Sequence, residues 1–329
     1  MRLAVIACFL NEEKYLPDFL ESLAAQEREH ERMLLVDDGS SDASLAIARE
    51  YAGDHPSVRV LSRPQRARDR DRLALAAELE AFCWAAEQLD VEWDVVAKLD
   101  ADLRLTAGTF AELERLLEAD PGLGIVGALQ SIIVGGSSVR ERCPPGHVRG
   151  STKFYRRACF EQIYPLDVRL GWDTTDEIQA RMRGWRTQSF AMPDGDPVHL
   201  RPTATQDGAA RGQRRIGRAA YAYGAGLGWT LLGTASRLNE RPRLLGALNY
   251  LWGWVAAALR SEPRADAAQR AFLAREHRLQ WRARVRGRLA RHSQRPNLRI
   301  ISRGASSTPG SGSSSANIAR SRGPRNDSK

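Results

Sequence analysis

Val95-Val96-Ala97-Lys98-Leu99-Asp100-Ala101-Asp102 runs from apolar residues into an Asp-x-Asp, and the assignment of the fold turns on it. The run reads as a strand that ends in two carboxylates one residue apart and on the same side. In open α/β sheets the carboxyl ends of the strands are where ligands bind. Two hard oxygen ligands there suit Mg²⁺ or Mn²⁺ holding a diphosphate. An Asp-x-Asp also arises in ordinary loops, so its companions decide the matter.

Upstream the same pattern repeats. Leu3–Phe9 is an apolar run, Asn11-Glu12-Glu13 is a polar turn, and Leu16, Phe19, Leu20 and Leu23 follow at helical spacing. Met33-Leu34-Leu35-Val36 is a second buried-type strand, and Asp37-Asp38-Gly39-Ser40-Ser41-Asp42 is a turn. The helix after it, over 43–51, takes Ser41 or Asp42 as its cap. A third strand lies at 58–61, and an Arg- and Asp-rich segment fills 65–72 before an amphipathic helix over 73–89. Strands alternating with helices predict an α/β fold with a mostly parallel sheet and right-handed crossovers.

Downstream, Phe110, Leu113, Leu116 and Leu117 mark a helix, residues 124–129 mark a strand, and Gly135-Gly136 then breaks the pattern. Residues 144–155 read as a loop containing His147, Arg149 and Gly150, followed by a short helix around 159–163. Gly171-Trp172-Asp173-Thr174-Thr175-Asp176-Glu177 opens a helix that ends at Gly184, and 187–190 is a last strand. The character changes after about Gly208. Residues 244–259 carry no formal charge, 264–303 are basic and helix-compatible, and 304–329 are rich in Ser, Gly and Pro and predicted disordered.

Composition sets limits. A chain of 329 residues holds one large α/β domain with appendages, or two smaller ones. The formal charge of +9 implies attraction to polyanions: nucleic acid, anionic lipid or a phosphorylated substrate. Cys8, Cys83, Cys143 and Cys159 are widely spaced, with neither metal-ligand spacing nor a dense disulfide framework, which fits a reducing cytoplasm. The first residues read as a strand and not as an export signal.

The turns carry the chemistry. A carboxylate at Asp37 or Asp38 can accept hydrogen bonds from a uracil or thymine N–H and from ribose hydroxyls, and Gly39 lets the backbone pass close to a flat base. A tight turn with a helix cap is the plainer account of the same residues. Asp173 and Asp176 flank a helix start, where the dipole favours an ionised carboxylate suited to accept a proton from a hydroxyl. His199 can complete a metal site as a neutral imidazole. No Gly-x-Gly-x-x-Gly or Walker lysine follows the first strand, which argues against dinucleotide and ATPase sites.

In this order, Asn11-Glu12-Glu13, Asp37-Asp38-Gly39-Ser40, Lys98-Leu99-Asp100-Ala101-Asp102, Gly171-Trp172-Asp173 with Asp176-Glu177, and Val198-His199 resemble the family 2 glycosyltransferases of the GT-A fold. The resemblance covers residues 1–205 closely and extends, through Tyr221-Ala222-Tyr223-Gly224 and Arg275-Glu276-His277, to about residue 290. It implies a catalytic domain over 1–207, a helical basic and apolar extension over 208–303, and a disordered tail over 304–329. The activity implied is inverting transfer of a sugar from a nucleotide-diphosphate-sugar donor, with a divalent metal as cofactor. The donor contacts implied are Asn11, Glu13, Asp37, Asp38 and Asp100, with Arg149 aiding the diphosphate or the acceptor; the metal ligands implied are Asp102 and His199. Counting back from Gly184-Trp185 puts the base on Asp173, whereas the pairing of Glu177 and Ile178 with Arg181 favours Asp176. Trp172 stands where the family has an acidic residue, and Ala7-Cys8-Phe9-Leu10 where it often has Pro and an aromatic.

Two rival readings are weaker. A nucleotidyltransferase relies on a Gly-rich phosphate loop after the first strand, which residues 8–13 do not offer. A nucleic-acid-binding protein accounts for the Arg-rich segment after 264, but no such module is recognisable, and the arginines follow an apolar stretch bearing Trp252 and Trp254. That combination fits an anionic membrane surface better. At sixteen residues, 244–259 is shorter than the ~20 that a spanning helix needs, so a peripheral position on the cytoplasmic face is expected, with a glycan or lipid-linked acceptor.

Overall fold

The structure is a computed structural model that describes residues 1–63, 76–144, 146–201, 208–238 and 243–293. Met1–Trp281 forms one compact unit. The Arg- and Asp-rich segment at 65–72, the proposed boundary at 207 and the tail at 304–329 lie outside the described residues.

A seven-stranded sheet runs through this unit. In chain order it contains β1 (Leu3–Phe9), β2 (Arg32–Asp37), β3 (Val58–Ser62), β4 (Val95–Asp100), β6 (Leu123–Ala128), β9 (Thr152–Arg156) and β10 (Arg186–Phe190), arranged β10-β6-β9-β4-β1-β2-β3. All neighbours are parallel except β9, which runs antiparallel between β4 and β6. Strand β1 is buried along its whole length, because both faces of the sheet are covered. Its odd residues, Leu3, Val5, Ala7 and Phe9, join one core with α1 (Leu16–Ala24) and α4 (Thr109–Ala119). Its even residues, Ala4, Ile6 and Cys8, join a second core with α3 (Ala77–Ala86), α5 (Arg157–Ile163) and α6 (Trp172–Met182). The mostly parallel α/β sandwich is therefore as predicted.

Several elements differ from the sequence reading. Residues 152–156, expected within a loop, form β9, a buried strand beside the Asp-x-Asp strand. Its Thr and Lys conceal the apolar run that marks the other central strands. A second, smaller sheet, β5-β11-β7-β8, was not expected; it consists of β5 (Leu103–Arg104), β7 (Ser131–Val134), β8 (Ser137–Arg140) and β11 (Val198–His199). Gly135-Gly136 is not merely a break but the hairpin turn between β7 and β8, with φ of +58° and +81°. Helix α2 is Ser44–Asp54, capped at Ala43, while the Asp42 carboxylate accepts from the Ser44 N–H at 3.0 Å.

After residue 207 the chain is helical: α7 (Ala209–Ala222), α8 (Leu227–Arg237), α9 (Arg243–Leu259) and α10 (Ala267–Ser293). Helices α7 and α9 touch backbone to backbone. A Cβ on Gly217 would lie 1.8 Å from the Tyr250 carbonyl oxygen, and one on Gly253 2.0 Å from that of Arg214.

Candidate active site

Strand register brings the predicted residues to one edge of the sheet. Cys8 pairs with Asp100 and Phe9 with Asp37, so the turns after β1, β2 and β4 open side by side. Asn11, at φ +55°, accepts from the Ser41 N–H at 2.8 Å, while Glu13 accepts from the Ala43 N–H at 2.9 Å. These two side chains thus fasten the first turn to the second. Asp37 accepts from the Ser40 N–H at 2.9 Å and shapes the Asp37-Asp38-Gly39 turn, in which Gly39 has φ +88°. Asp38 is buried against Arg63 at 3.0 Å, and Arg63 also lies 3.6 Å from Glu80.

The Asp-x-Asp lies at the same edge. One ligand atom each from Asp100, Asp102 and His199 fall within 4.8 Å of one another. His199 reaches this place because β11 pairs antiparallel with β5, immediately after Asp102. Its Nε2 lies 3.3 Å from Asp102 Oδ1, and Arg201 approaches Asp102 Oδ2 at 2.8 and 3.1 Å. Arg201 also reaches Glu12 Oε1 at 2.5 Å. Burial pushes the His199 imidazole down, but hydrogen bonds to Asp102 and Glu141 outweigh it and carry its pKa up to about 9. Burial likewise raises the Glu12 carboxyl against the pull of Arg201, and Glu12 Oε2 is buried without a hydrogen-bond partner among the described residues. Two carboxylates and an imidazole fit a divalent cation, provided that His199 gives up its proton.

Two buried lysines link this cluster to α6. Lys98 and Lys153 are register partners across β4 and β9, and both side chains are almost wholly buried. Like charges placed opposite each other destabilise a sheet unless neutralised. Lys98 is neutralised by Glu78 and Asp100, and Lys153 by Asp176 at 2.7 Å and Glu177 at 3.4 Å. Both ammonium groups face the Trp172 ring, 5.2 and 5.4 Å from its centroid. Trp172 therefore fills the place of an acidic residue as a cap over two cations.

The two candidate bases have different surroundings. Asp176 is buried and accepts from Lys153 at 2.7 and 2.9 Å, from the Tyr155 hydroxyl at 2.5 Å and from the Glu177 N–H at 2.7 Å. Burial raises its pKa despite Lys153. Glu177 shifts the other way, its burial outweighed by His147, Lys153 and the Val148 N–H, which donates at 2.6 Å. Asp173 stands in the first turn of α6, half-buried, its Cβ 3.6 Å from where a side chain on Gly150 would begin. Its backbone carbonyl accepts from Lys153, and its carboxylate has no hydrogen bond among the described residues. Arg149 reaches Glu141 at 3.3 Å and the Arg142 carbonyl at 2.9 Å.

Glu12, Arg63, Glu141, Lys153, Tyr155 and Arg201 take part in this site and were not picked out from the sequence. Glu12 sits between two residues that were, and Arg201 two places after His199. Lys153 and Tyr155 left no local signal, since their partners lie some twenty residues on, at Asp176.

The comparisons with known proteins bear on the family and the fold. The family model described as Glycosyl transferase family 2 matches residues 4–163. A cholesterol galactosyltransferase from Borreliella burgdorferi is 33% identical over 61 residues, which are 18% of this chain and only 17% of that protein's length. The mannosyltransferase PcManGT from Pyrobaculum calidifontis, solved with GDP-Man and Mn²⁺, superposes with a TM-score of 0.50 at 18% identity, over 84% of this chain and 80% of that one. GalNAc-T7, solved with UDP, GalNAc and Mn²⁺, superposes with a TM-score of 0.51 at 13% identity, over 80% of this chain and 58% of that one. With the order of its motifs and its sheet, the chain is a glycosyltransferase built on the GT-A fold, and its match to family 2 spans residues 4–163.

Proposed function

We propose that this enzyme moves a sugar from a nucleotide-diphosphate-sugar donor to a hydroxyl of a glycan or lipid-linked acceptor, with inversion, in the synthesis of an envelope polysaccharide or glycoconjugate on the cytoplasmic face of the membrane. The observation that carries this reading is the convergence of Asp100, Asp102 and His199 at the ligand-binding edge of the sheet. These residues would hold Mg²⁺ or Mn²⁺, which supplies positive charge to a leaving diphosphate. Relatives of the fold solved with Mn²⁺ and a nucleotide support the assignment.

The chain's own groups do the rest. Asp37 and Asp38 receive the base and ribose in the turn after β2, and Asp100 faces the ribose. Asp173, in the first turn of α6, accepts the acceptor's proton as its oxygen attacks the anomeric carbon. One C–O bond forms, the bond to the diphosphate breaks, and its electron pair leaves with the phosphate oxygen. Asp176 holds Lys153 and Tyr155 in place and does not touch the acceptor.

A panel of nucleotide sugars with Mg²⁺ or Mn²⁺, scored for nucleoside diphosphate release, tests the proposal. One donor turned over in a chelator-sensitive way is the expected outcome. Turnover of none, or turnover unaffected by excess chelator, refutes it.

A further inference from the structure

Helix α9 faces the wrong way for a water-soluble protein. Its small residues, Gly246, Ala247, Gly253, Ala256 and Ala257, are buried. Leu244, Leu245, Leu248, Trp252 and Leu259 point outward and are 49–76% exposed. Small residues inside and large apolar residues outside is the pattern of helices packed in lipid, where close backbone approach holds them together. The contact of Gly217 and Gly253 with the facing backbones is of that kind. Helix α8, which packs on α9, also exposes Leu227, Leu231 and Leu232.

Charge selects what covers this face. Residues 208–303 hold 20 arginines and 4 carboxylates, a formal +16, whereas residues 1–207 hold 25 basic and 35 acidic side chains, a formal −10. A second copy docked through the same face would set one such excess of positive charge against another. A nucleic acid would satisfy the arginines and leave the leucines in water. An anionic lipid surface satisfies both. Among the described residues no helix is long and apolar enough to cross a membrane, so α9, at roughly 25 Å for 17 residues, lies along it.

We infer that α8 and α9 form an in-plane membrane anchor that inserts Leu244, Leu248 and Trp252 among anionic headgroups. The anchor packs on α7, and α7 and α10 in turn meet the helix that carries Asp173. Gly171 approaches α7, where a Cβ would lie 3.2 Å from Ala219, and Gln179 and Arg181 of α6 reach Gln269 at 2.6 Å and Glu276 at 2.9 Å. A lipid-borne acceptor would thereby meet Asp173 at the headgroup level; this last step rests on the function proposed above, while the anchor itself does not.

The test is sedimentation of the full chain with phosphatidylcholine vesicles, with and without phosphatidylglycerol, at low and high salt. Strong pelleting with anionic vesicles, weakened but not abolished by salt, is expected, with little on neutral ones. Leu244→Glu/Leu248→Glu should lower the partition about tenfold or more, because two leucines no longer leave water. Trp252 gives a second readout that needs no drastic change: the blue shift of emission on adding vesicles should be largely lost in Trp252→Phe. Nucleoside diphosphate release without vesicles reports separately on the catalytic reading. The inference is overturned if the full chain stays in the supernatant at every salt concentration. It is equally overturned if the double variant pellets like the wild type, or if the exposed leucines instead drive a dimer that does not bind vesicles.

Discussion

Replacing Asp176 by Asn separates scaffold from catalysis. The Asp176 carboxylate receives four hydrogen bonds, two from Lys153, one from Tyr155 and one from the Glu177 N–H, and both it and Lys153 are buried. An amide of the same shape keeps one acceptor oxygen and turns an NH₂ toward groups that themselves donate. Breaking one side of a buried ion pair costs about 3–5 kcal/mol. Glu177 remains 3.4 Å from Lys153 and continues to neutralise it, so the cost should lie near the lower end, about 3 kcal/mol. With typical urea slopes that lowers the unfolding midpoint by roughly 1 M or more. Asp173→Asn removes a carboxylate that no described group hydrogen-bonds, so its midpoint should move by less than about 0.5 kcal/mol in equivalent stability. Its transfer rate should nonetheless fall roughly 100-fold or more while donor binding is kept. Urea unfolding followed by circular dichroism, with donor binding and transfer measured on the same preparations, reads all of these. If Asp176→Asn unfolds at the wild-type midpoint and loses transfer while Asp173→Asn stays active, the assignment of the base is wrong.

Three further outcomes are expected. Asp102→Asn should reduce transfer by about 100-fold or more, as excess chelator should in the wild type, and near-normal turnover in either case would take Asp102 out of the mechanism. His147 has its pKa raised above the ordinary 6.5 by Glu177, which outweighs its burial. The imidazole therefore stabilises the fold fully below 6.5, and that contribution fades as pH rises through its folded value. The stability difference between wild type and His147→Gln should accordingly be largest at acidic pH and shrink on the alkaline side; a difference that grows with pH would contradict the ion pair. Gly217→Ala and Gly253→Ala force a Cβ to within about 2 Å of a facing carbonyl oxygen, so each should cost roughly 1–3 kcal/mol in thermal unfolding. Gly228→Ala, with nothing within 4 Å, should be neutral or slightly stabilising.

What could be read from the sequence followed burial pattern. Strands β1, β2, β4 and β6 are covered on both faces, so each carries an apolar run, interrupted in β4 only by Lys98, and the motifs at the carboxyl ends of β1, β2 and β4 could be placed in order along the edge. Strand β9 escaped notice because Thr152 and Lys153 occupy its first turns of pleat. Their burial is made tolerable by Asp176, Glu177 and Gln130, which no local periodicity connects to them. Exposed pairs such as Ser137 and Ser138 in β8 carry no core signal, so the glycines read as a break and not as a hairpin turn. For α9 the charge-free stretch was plain, yet which face points outward depends on where Gly217 and Gly253 meet their partners. That is a property of two helices together.

The opposed lysines explain why the choice between Asp173 and Asp176 could not be made from spacing. Buried ion pairs add little stability over apolar residues of the same size, so Lys98 and Lys153 are not needed to hold β4 to β9. Their arrangement does something that leucines would not. Lys98 fixes Asp100, Lys153 fixes Asp176 and the Asp173 carbonyl, and Trp172 covers both ammonium groups. Asp100 and the first turn of α6 are thereby tied to partnered residues of one strand pair, which on the function proposed above would hold two groups acting from opposite sides of one carbon. A base is effective only when held within hydrogen-bond reach of the proton it removes. On the proposed function Asp176 is spent on that support, and Asp173, three residues earlier on the same helix, is the carboxylate that would take the proton.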